Sequence, residues 1–229
     1  MPRPLIIAHR GVAAPNRFEN TIGSFEKAIQ LGADMIEFDV RKSREGQLIV
    51  HHDATIDGQP INQLTLNEIN RNAGVKGFEV PTLREVLDLT KGRIRLDVEM
   101  KEDGYEDEVA EFLLQNTAPE EFIITSFLDN SLMKIKMDYP QIKSGLLIGF
   151  HNPICSRCYR LAPIRRANCL QVDYLLPNWR LLKFGIIQRA RKINLPLIVW
   201  TVNEKTRIDN LIRKSVAGII TDHAELMLR

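Results

Sequence analysis

Short runs dominated by Ile, Val, Leu and Phe recur along the chain, separated by longer stretches with apolar residues at three- and four-residue spacing. The short runs predict strands at residues 5–8, 35–40, 95–99, 122–125, 145–148, 170–172, 197–201 and 218–221. The longer stretches predict helices at 21–31, 106–114, 128–137, 181–192 and 204–213, with Asn20 or Thr21 capping the first and Gly32 stopping it. Strands that alternate with helices run parallel, because a helical crossover returns the chain to the same edge. Eight of them in 229 residues predict closure into an α/β (β/α)8 TIM barrel, with an open doubly wound sheet as the rival.

One stretch breaks the rhythm. Residues 42–93 hold a β-like run at 48–52, a polar segment rich in Asn and Gly, and helical spacing only at 81–89. Ordinary barrel loops need a few residues. The expectation is a small insertion after the second strand, standing over one mouth of the barrel and ending in the delayed second helix. Residues 1–229 then form a single barrel domain with an insertion at about 42–93.

Alternation inside two strands carries the chemistry. A strand sends successive side chains to opposite faces. In 35–40, Glu37 and Asp39 share the inner face while Ile36, Phe38 and Val40 face the helices; in 96–101, Asp97, Glu99 and Lys101 face inward. Both clusters lie at the C-terminal ends of their strands, where barrel enzymes place reactive groups. Enclosed carboxylates repel one another, and a hard divalent cation with its preference for oxygen relieves that repulsion. The competing reading is an ion-pair network with Lys101, Arg41 and Arg95. His9 ends the first strand and His52 follows a short β-like run, both suited to proton transfer near neutral pH. Arg10 offers a planar fork for a phosphate, and Gly11 a sharp exit from the strand.

Composition narrows the partners. A hydrophobic fraction of 44% and a charged fraction of 26% are ordinary for a globular domain, and a net charge of +2 gives no case for nucleic acid or a membrane surface. No apolar run reaches the ~20 residues of a membrane span, and the apolar start is too short for a signal-peptide core. Three cysteines, Cys155, Cys158 and Cys169, suggest a reducing compartment rather than a disulfide framework, so a cytoplasmic location is expected. The Cys155–Cys158 pair lacks further zinc ligands at comparable spacing, and Arg165–Arg166, with Arg157 and Arg160, reads as a solvated helix face.

Several segments, taken in order, resemble a known family. They are His9-Arg10-Gly11; Glu19-Asn20-Thr21 with Ser24-Phe25; the run from Gly32 to Val40; His52-Asp53; Glu99-Met100-Lys101; Ser126-Phe127; Trp200-Thr201-Val202-Asn203; and the run from Gly218 to Asp222. Together they look like the glycerophosphodiester phosphodiesterases of the bacterial cytoplasmic type. The resemblance implies metal-dependent hydrolysis of glycerophosphodiesters to sn-glycerol 3-phosphate and an alcohol. It implies Glu37, Asp39 and Glu99 as ligands of one Mg²⁺ or Ca²⁺, His9 and His52 as the acid–base pair, Arg10 and Lys101 around the phosphate, and Trp200 near the substrate. The partner is then a small-molecule diester, with no nucleic acid and no stable membrane association. Within the same chemistry, a lysophospholipid or glycerophosphoinositol diesterase is the alternative, and a catalytically silent phosphodiester-binding barrel is a rival from another class. Two positions depart from the family pattern: Phe18 stands where proline is usual, and Ala54-Thr55-Ile56-Asp57-Gly58 lacks the usual Arg-Thr pair.

Overall fold

Strand order follows chain order. β1 (Leu5–His9) pairs in parallel with β2 (Met35–Lys42), and β2 with β3 (Arg95–Met100). The succession continues through β4 (Phe122–Ser126), β5 (Lys143–Ile148) and β6 (Tyr174–Pro177). β7 (Ile198–Val199) pairs with β8 (Gly218–Thr221), which returns to β1. Parallel bridges from Leu175 to Leu197 and from Asn178 to Trp200 join β6 to β7. The result, a computed structural model describing residues 3–13, 18–149 and 162–227, is a nearly closed barrel of eight parallel strands with helices between them. The barrel expectation holds, and the open sheet is excluded.

The outward faces of β1–β3 carry Ile6, Ala8, Ile36, Phe38, Val40, Leu96, Val98 and Met100, which pack on Phe25, Ala28, Val86, Leu87, Val109 and Leu113 from the helices. The lower barrel interior is filled by Ile7, Met35, Ile123, Leu147, Leu176, Ile198 and Ile220. Apolar residues thus plug the barrel, and the polar inner-face residues of β1–β3 come above them. The first helix, Ile22–Leu31, is capped by Thr21 rather than Asn20: the Thr21 side chain accepts from the Ser24 N–H, and Ser24 Oγ accepts from the Thr21 N–H. Gly32 ends it at φ 78°.

Two predicted elements are corrected. Residues 170–172 are not a strand: Leu170 is the last residue of the helix Pro163–Leu170, and Gln171, at φ 52°, stops that helix. The sixth strand begins at Tyr174 and ends in Pro177, a residue that argues against a strand when met in sequence. Residues 181–192 are not one helix, because Gly185 at φ 71° separates a 3₁₀ segment, Trp179–Phe184, from the helix Ile186–Arg191.

The 42–93 segment starts with Leu48–Val50, antiparallel to the end of β2, and a small hairpin of Thr55–Ile56 and Gln59–Pro60. It also holds a helix that the polar composition hides, Leu66–Val75. Ile49, Ile56, Ile61, Leu64, Ile69, Ala73 and Val80 form its own small core. The delayed second helix is Leu83–Thr90, whose Leu83, Val86 and Leu87 pack on the barrel.

Candidate active site

Register brings the acidic residues together. His9 pairs across strands with Glu37, Glu37 with Asp97, and Asp39 with Glu99. Period two then aims all of these side chains inward, as alternation in the sequence requires. Carboxylate oxygens of Glu37, Asp39 and Glu99 lie within 4.8 Å of one another. Arg10 Nε lies 3.2 Å from Asp39 Oδ2, and Lys101 Nζ lies 2.6 Å from Glu99 Oε1 and 3.3 Å from Asp39 Oδ1.

The charges in this cluster do not balance within the protein. Glu37, Asp39, Asp97 and Glu99 are all buried; Arg10 and Lys101 pair with Asp39 and Glu99, and the His9 ring reaches Glu37 at 3.9 Å. Burial, reinforced by Asp39 and Glu99, holds the Glu37 carboxyl well above the usual carboxylate range. Burial and Asp39 push Glu99 upward too, and burial raises Asp97 to about 7. At Asp39 burial acts in the same direction, but Lys101 and Arg10 override it and bring the carboxyl down to about 2. Asp39 Oδ1 receives no well-directed hydrogen bond despite the nearby ammonium. Carboxylate oxygens this close, with repulsion left over and one of them lacking a well-directed hydrogen bond, fit a hard divalent cation. The ion-pair alternative holds for Lys101 alone. Arg41 turns to Glu102 and to the His52 carbonyl, and Arg95, at the base of β3, is exposed.

Both histidines are held through Nδ1 by a carboxylate. His9 Nδ1 lies 2.6 Å from Asp222 Oδ1, and His52 Nδ1 lies 2.8 Å from Asp53 Oδ1. A carboxylate only accepts, so Nδ1 carries a proton in each ring, and in the neutral form Nε2 keeps its lone pair. His9 Nε2 is 3.9 Å from Glu37 Oε2, at the edge of the acidic cluster. Asp222 is itself braced by Asn203: Nδ2 of Asn203 donates to Oδ2 at 2.5 Å, and the Asp222 N–H donates to Asn203 Oδ1 at 3.0 Å. Burial lowers the proton affinity of the His52 ring. The His51 ring stacks on Phe78, with centroids 6.4 Å apart.

The loop after β1 is shaped by two left-handed residues, Arg10 at φ 53° and Asn20 at φ 53°. Non-glycine residues rarely adopt this region, and they hold it where surrounding contacts over-determine them. Here the Arg10 N–H donates to Glu37 Oε2 at 3.0 Å, the Asn20 N–H donates to the Arg10 carbonyl at 2.9 Å, and Asn20 Nδ2 donates to Asp39 Oδ2 at 2.8 Å. Glu19 takes Arg10 Nη1 at 2.7 Å.

His9, Arg10, Glu37, His52, Glu99 and Lys101 line one cavity of about 510 Å³. The opposite wall is apolar: Phe127, Leu128, Leu147, Gly149, Trp200 and Ile220. Trp200 Nε1 donates to the Leu176 carbonyl at 2.6 Å, and the ring meets Phe127 edge-on at 5.6 Å. Gly149 leaves room for it, since an added Cβ would stand 2.9 Å from Trp200 Cη2. The candidate metal, acid–base and substrate residues of the sequence therefore reach one place, with Asp39 fully enclosed behind the others. Asp222, Asn203 and Asn20 brace it from outside the cavity lining, although residue patterning assigns them no role there, and Arg41, expected in an ion-pair network with the acidic residues, holds the His52 main chain instead. The first three are visible only within the motif resemblance, because they act from strand ends and loops where alternation says nothing. Cys155, Cys158, Arg157 and Arg160 lie outside the described residues, whereas Arg166 pairs with Asp129.

The sequence profile of the glycerophosphoryl diester phosphodiesterase family matches residues 9–226. A glycerophosphodiester phosphodiesterase of Caldanaerobacter subterraneus subsp. tengcongensis is 32% identical over 244 aligned residues, covering 99% of this chain and 97% of that protein. The crystal structure of glycerophosphodiester phosphodiesterase from Thermotoga maritima superposes with a TM-score of 0.80 at 26% identity, covering 100% of this chain and 99% of that one. A phosphodiesterase of Oleispira antarctica, solved with the product sn-glycerol-3-phosphate, shares the fold with a TM-score of 0.82 at 21% identity, over 98% and 96% of the two chains. With a profile spanning nearly the whole sequence and a relative matched end to end, the chain belongs to the glycerophosphoryl diester phosphodiesterase family.

Proposed function

We propose that this protein hydrolyses glycerophosphodiesters to sn-glycerol 3-phosphate and an alcohol, using one divalent cation, Mg²⁺ or Ca²⁺. One observation carries the reading: three clustered carboxylates, two carboxylate-held imidazoles, an arginine and a lysine converge at a single cavity. The product complex of the Oleispira relative supports the substrate class. Glu37, Asp39 and Glu99 would hold the cation, which when bound neutralises charge on a diester that otherwise repels nucleophiles.

The remaining work falls to this chain's own side chains. Arg10 and Lys101 sit where they stabilise the charge that builds on phosphate oxygens. One imidazole, with Nε2 free, removes the proton from the attacking oxygen; the other, protonated, gives its proton to the departing alkoxide. The attacking oxygen is the glycerol hydroxyl beside the phosphoester, since a tethered nucleophile enjoys a large effective concentration. It forms a cyclic phosphate and releases the alcohol, and water then opens the ring with the two imidazoles exchanging roles. A substrate analogue without that hydroxyl should not turn over, and unchanged turnover would rule the cyclic route out. The apolar wall of Phe127 and Trp200 excludes water from the uncharged parts of the substrate.

The functional test is release of sn-glycerol 3-phosphate from glycerophosphocholine and glycerophosphoethanolamine by the wild type and by His9→Ala. Release by the wild type and its loss in the variant by a factor on the order of 10²–10⁴ are expected. A folded wild type that releases nothing from either diester would sink the proposal.

A further inference from the structure

His52 is the site residue whose position the barrel explains least. Its side chain is 36% exposed, and the carboxylate on its ring belongs to the next residue, Asp53, which is 71% exposed. It lies in the insertion just after Leu48–Val50, with no strand of its own to fix it. Something else must hold it to the barrel.

Arg41 does so. It is 6% exposed at the end of β2, and its guanidinium grips the main chain of His52: Nε donates to the His52 carbonyl at 2.9 Å and Nη2 donates to the same oxygen at 2.6 Å. Nη1 turns the other way and donates to the Glu102 carboxylate. Glu102 follows Lys101 at the top of β3, and its own N–H donates to the Tyr105 hydroxyl at 3.2 Å while that hydroxyl donates to the Val40 carbonyl at 2.9 Å. One rigid planar group therefore ties the His52 peptide to the tops of β2 and β3, the strands that carry Glu37, Asp39 and Glu99. The His51 N–H, donating to the Asp39 carbonyl at 2.9 Å, is a second anchor one residue away. A buried guanidinium costs stability unless every face is partnered, and here the partners are a carboxylate and the backbone of a catalytic candidate.

We infer that Arg41 is a positioning residue for His52, fixing the imidazole against the acidic cluster through its carbonyl oxygen. The inference rests on the diesterase reading. It concerns proton transfer at His52 and not substrate binding, because Arg41 does not line the cavity. A lysine offers one ammonium in place of a forked donor, so it reproduces the charge and not the two-pronged grip.

The experiment is a double-mutant cycle on glycerophosphocholine hydrolysis with Arg41→Ala, His52→Ala and the double variant, plus Arg41→Lys and Glu102→Gln as milder perturbations. Arg41→Ala should lower kcat roughly tenfold to a hundredfold with KM little changed, the scale expected when a catalytic group is misplaced by about 1 Å. Arg41→Lys should fall between it and the wild type. On the His52→Ala background, Arg41→Ala should remove nothing more, which general loosening of the fold would not reproduce. Should Arg41→Ala fail to fold, Arg41→Lys on the two backgrounds reads the same coupling. Losses that multiply in the double variant, or wild-type kcat in Arg41→Ala and Arg41→Lys, would overturn the role of Arg41 while leaving the functional reading standing. A wild type without activity on any diester would overturn both.

Discussion

At Asp222 a single carboxylate sets the orientation of the His9 ring in the cavity wall. It fixes the ring through Nδ1 at 2.6 Å and is braced in turn by Asn203, so the presentation of Nε2 depends on two residues outside the cavity lining. Replacing Asp222 by Ala should lower kcat by up to about a hundredfold, a share of what general acid–base catalysis supplies, while KM moves little. Steady-state kinetics of a folded variant decide it; a wild-type kcat would show that His9 does not need the carboxylate. Gly11 is a second point where one residue governs the site. At φ 80° it turns the chain out of β1, and an added Cβ would stand 2.5 Å from Ser24 Oγ and 2.7 Å from the Ser24 carbonyl carbon. Gly11→Ala should cost about 2 kcal/mol or more in denaturant unfolding, from backbone strain and overpacking together. Legibility at this scale follows position. Glu37, Asp39 and Glu99 lie inside strands, so period two places them, together with Asp97, on the inner face, and the family resemblance picks these three from the four. Asp222, Asn203 and Arg41 act from strand ends or through the backbone of another residue, and no periodicity records a bond to a carbonyl.

Among the elements, burial on both faces makes the strands easy to find, and helix punctuation makes the helices uneven. β2 and β3 announce themselves by charged residues alternating with apolar ones, the pattern of a strand with one face on the apolar core and the other on a polar interior. β6 does not, because the buried side of the preceding helix ends in Leu170 and Val172 and imitates a strand. The helix Leu66–Val75 is hidden by its Asn and Gly, although its start is signalled. Thr65 and Glu68 form a reciprocal capping box, as Thr82 and Glu85 do for Leu83–Thr90. Those caps have measurable weight. Thr82→Ala removes the acceptor of the Glu85 N–H, and should lower stability by about 1 kcal/mol in a urea titration. An unchanged midpoint would mean that packing of Leu83, Val86 and Leu87 alone sets the start of that helix.

Around the cavity, the whole molecule divides its charge by strand. β1–β3 and the loops that follow them supply the acidic cluster and the two cations, and β4–β8 mostly supply the apolar wall. A net charge of +2 conceals this arrangement completely. Among the described residues no helix is long and apolar enough to cross a membrane. Leftover repulsion in the cluster has a consequence for the entire fold: a cation that binds only the native state stabilises it by mass action, about 2.7 kcal/mol at a hundredfold excess over Kd. For a chain of this size that corresponds to a rise in Tm of roughly 5–10 °C, and it should vanish in Glu37→Gln, which keeps the shape but removes a charge. An equal rise in that variant would place the cation elsewhere. The most direct trial of a cation-dependent site is glycerophosphocholine hydrolysis after exhaustive chelation, followed by return of Mg²⁺ or Ca²⁺, in the wild type and in Glu37→Ala. Activity should disappear on chelation, return with the cation in the wild type, and never return in the variant; hydrolysis that persists without any divalent cation would contradict such a site.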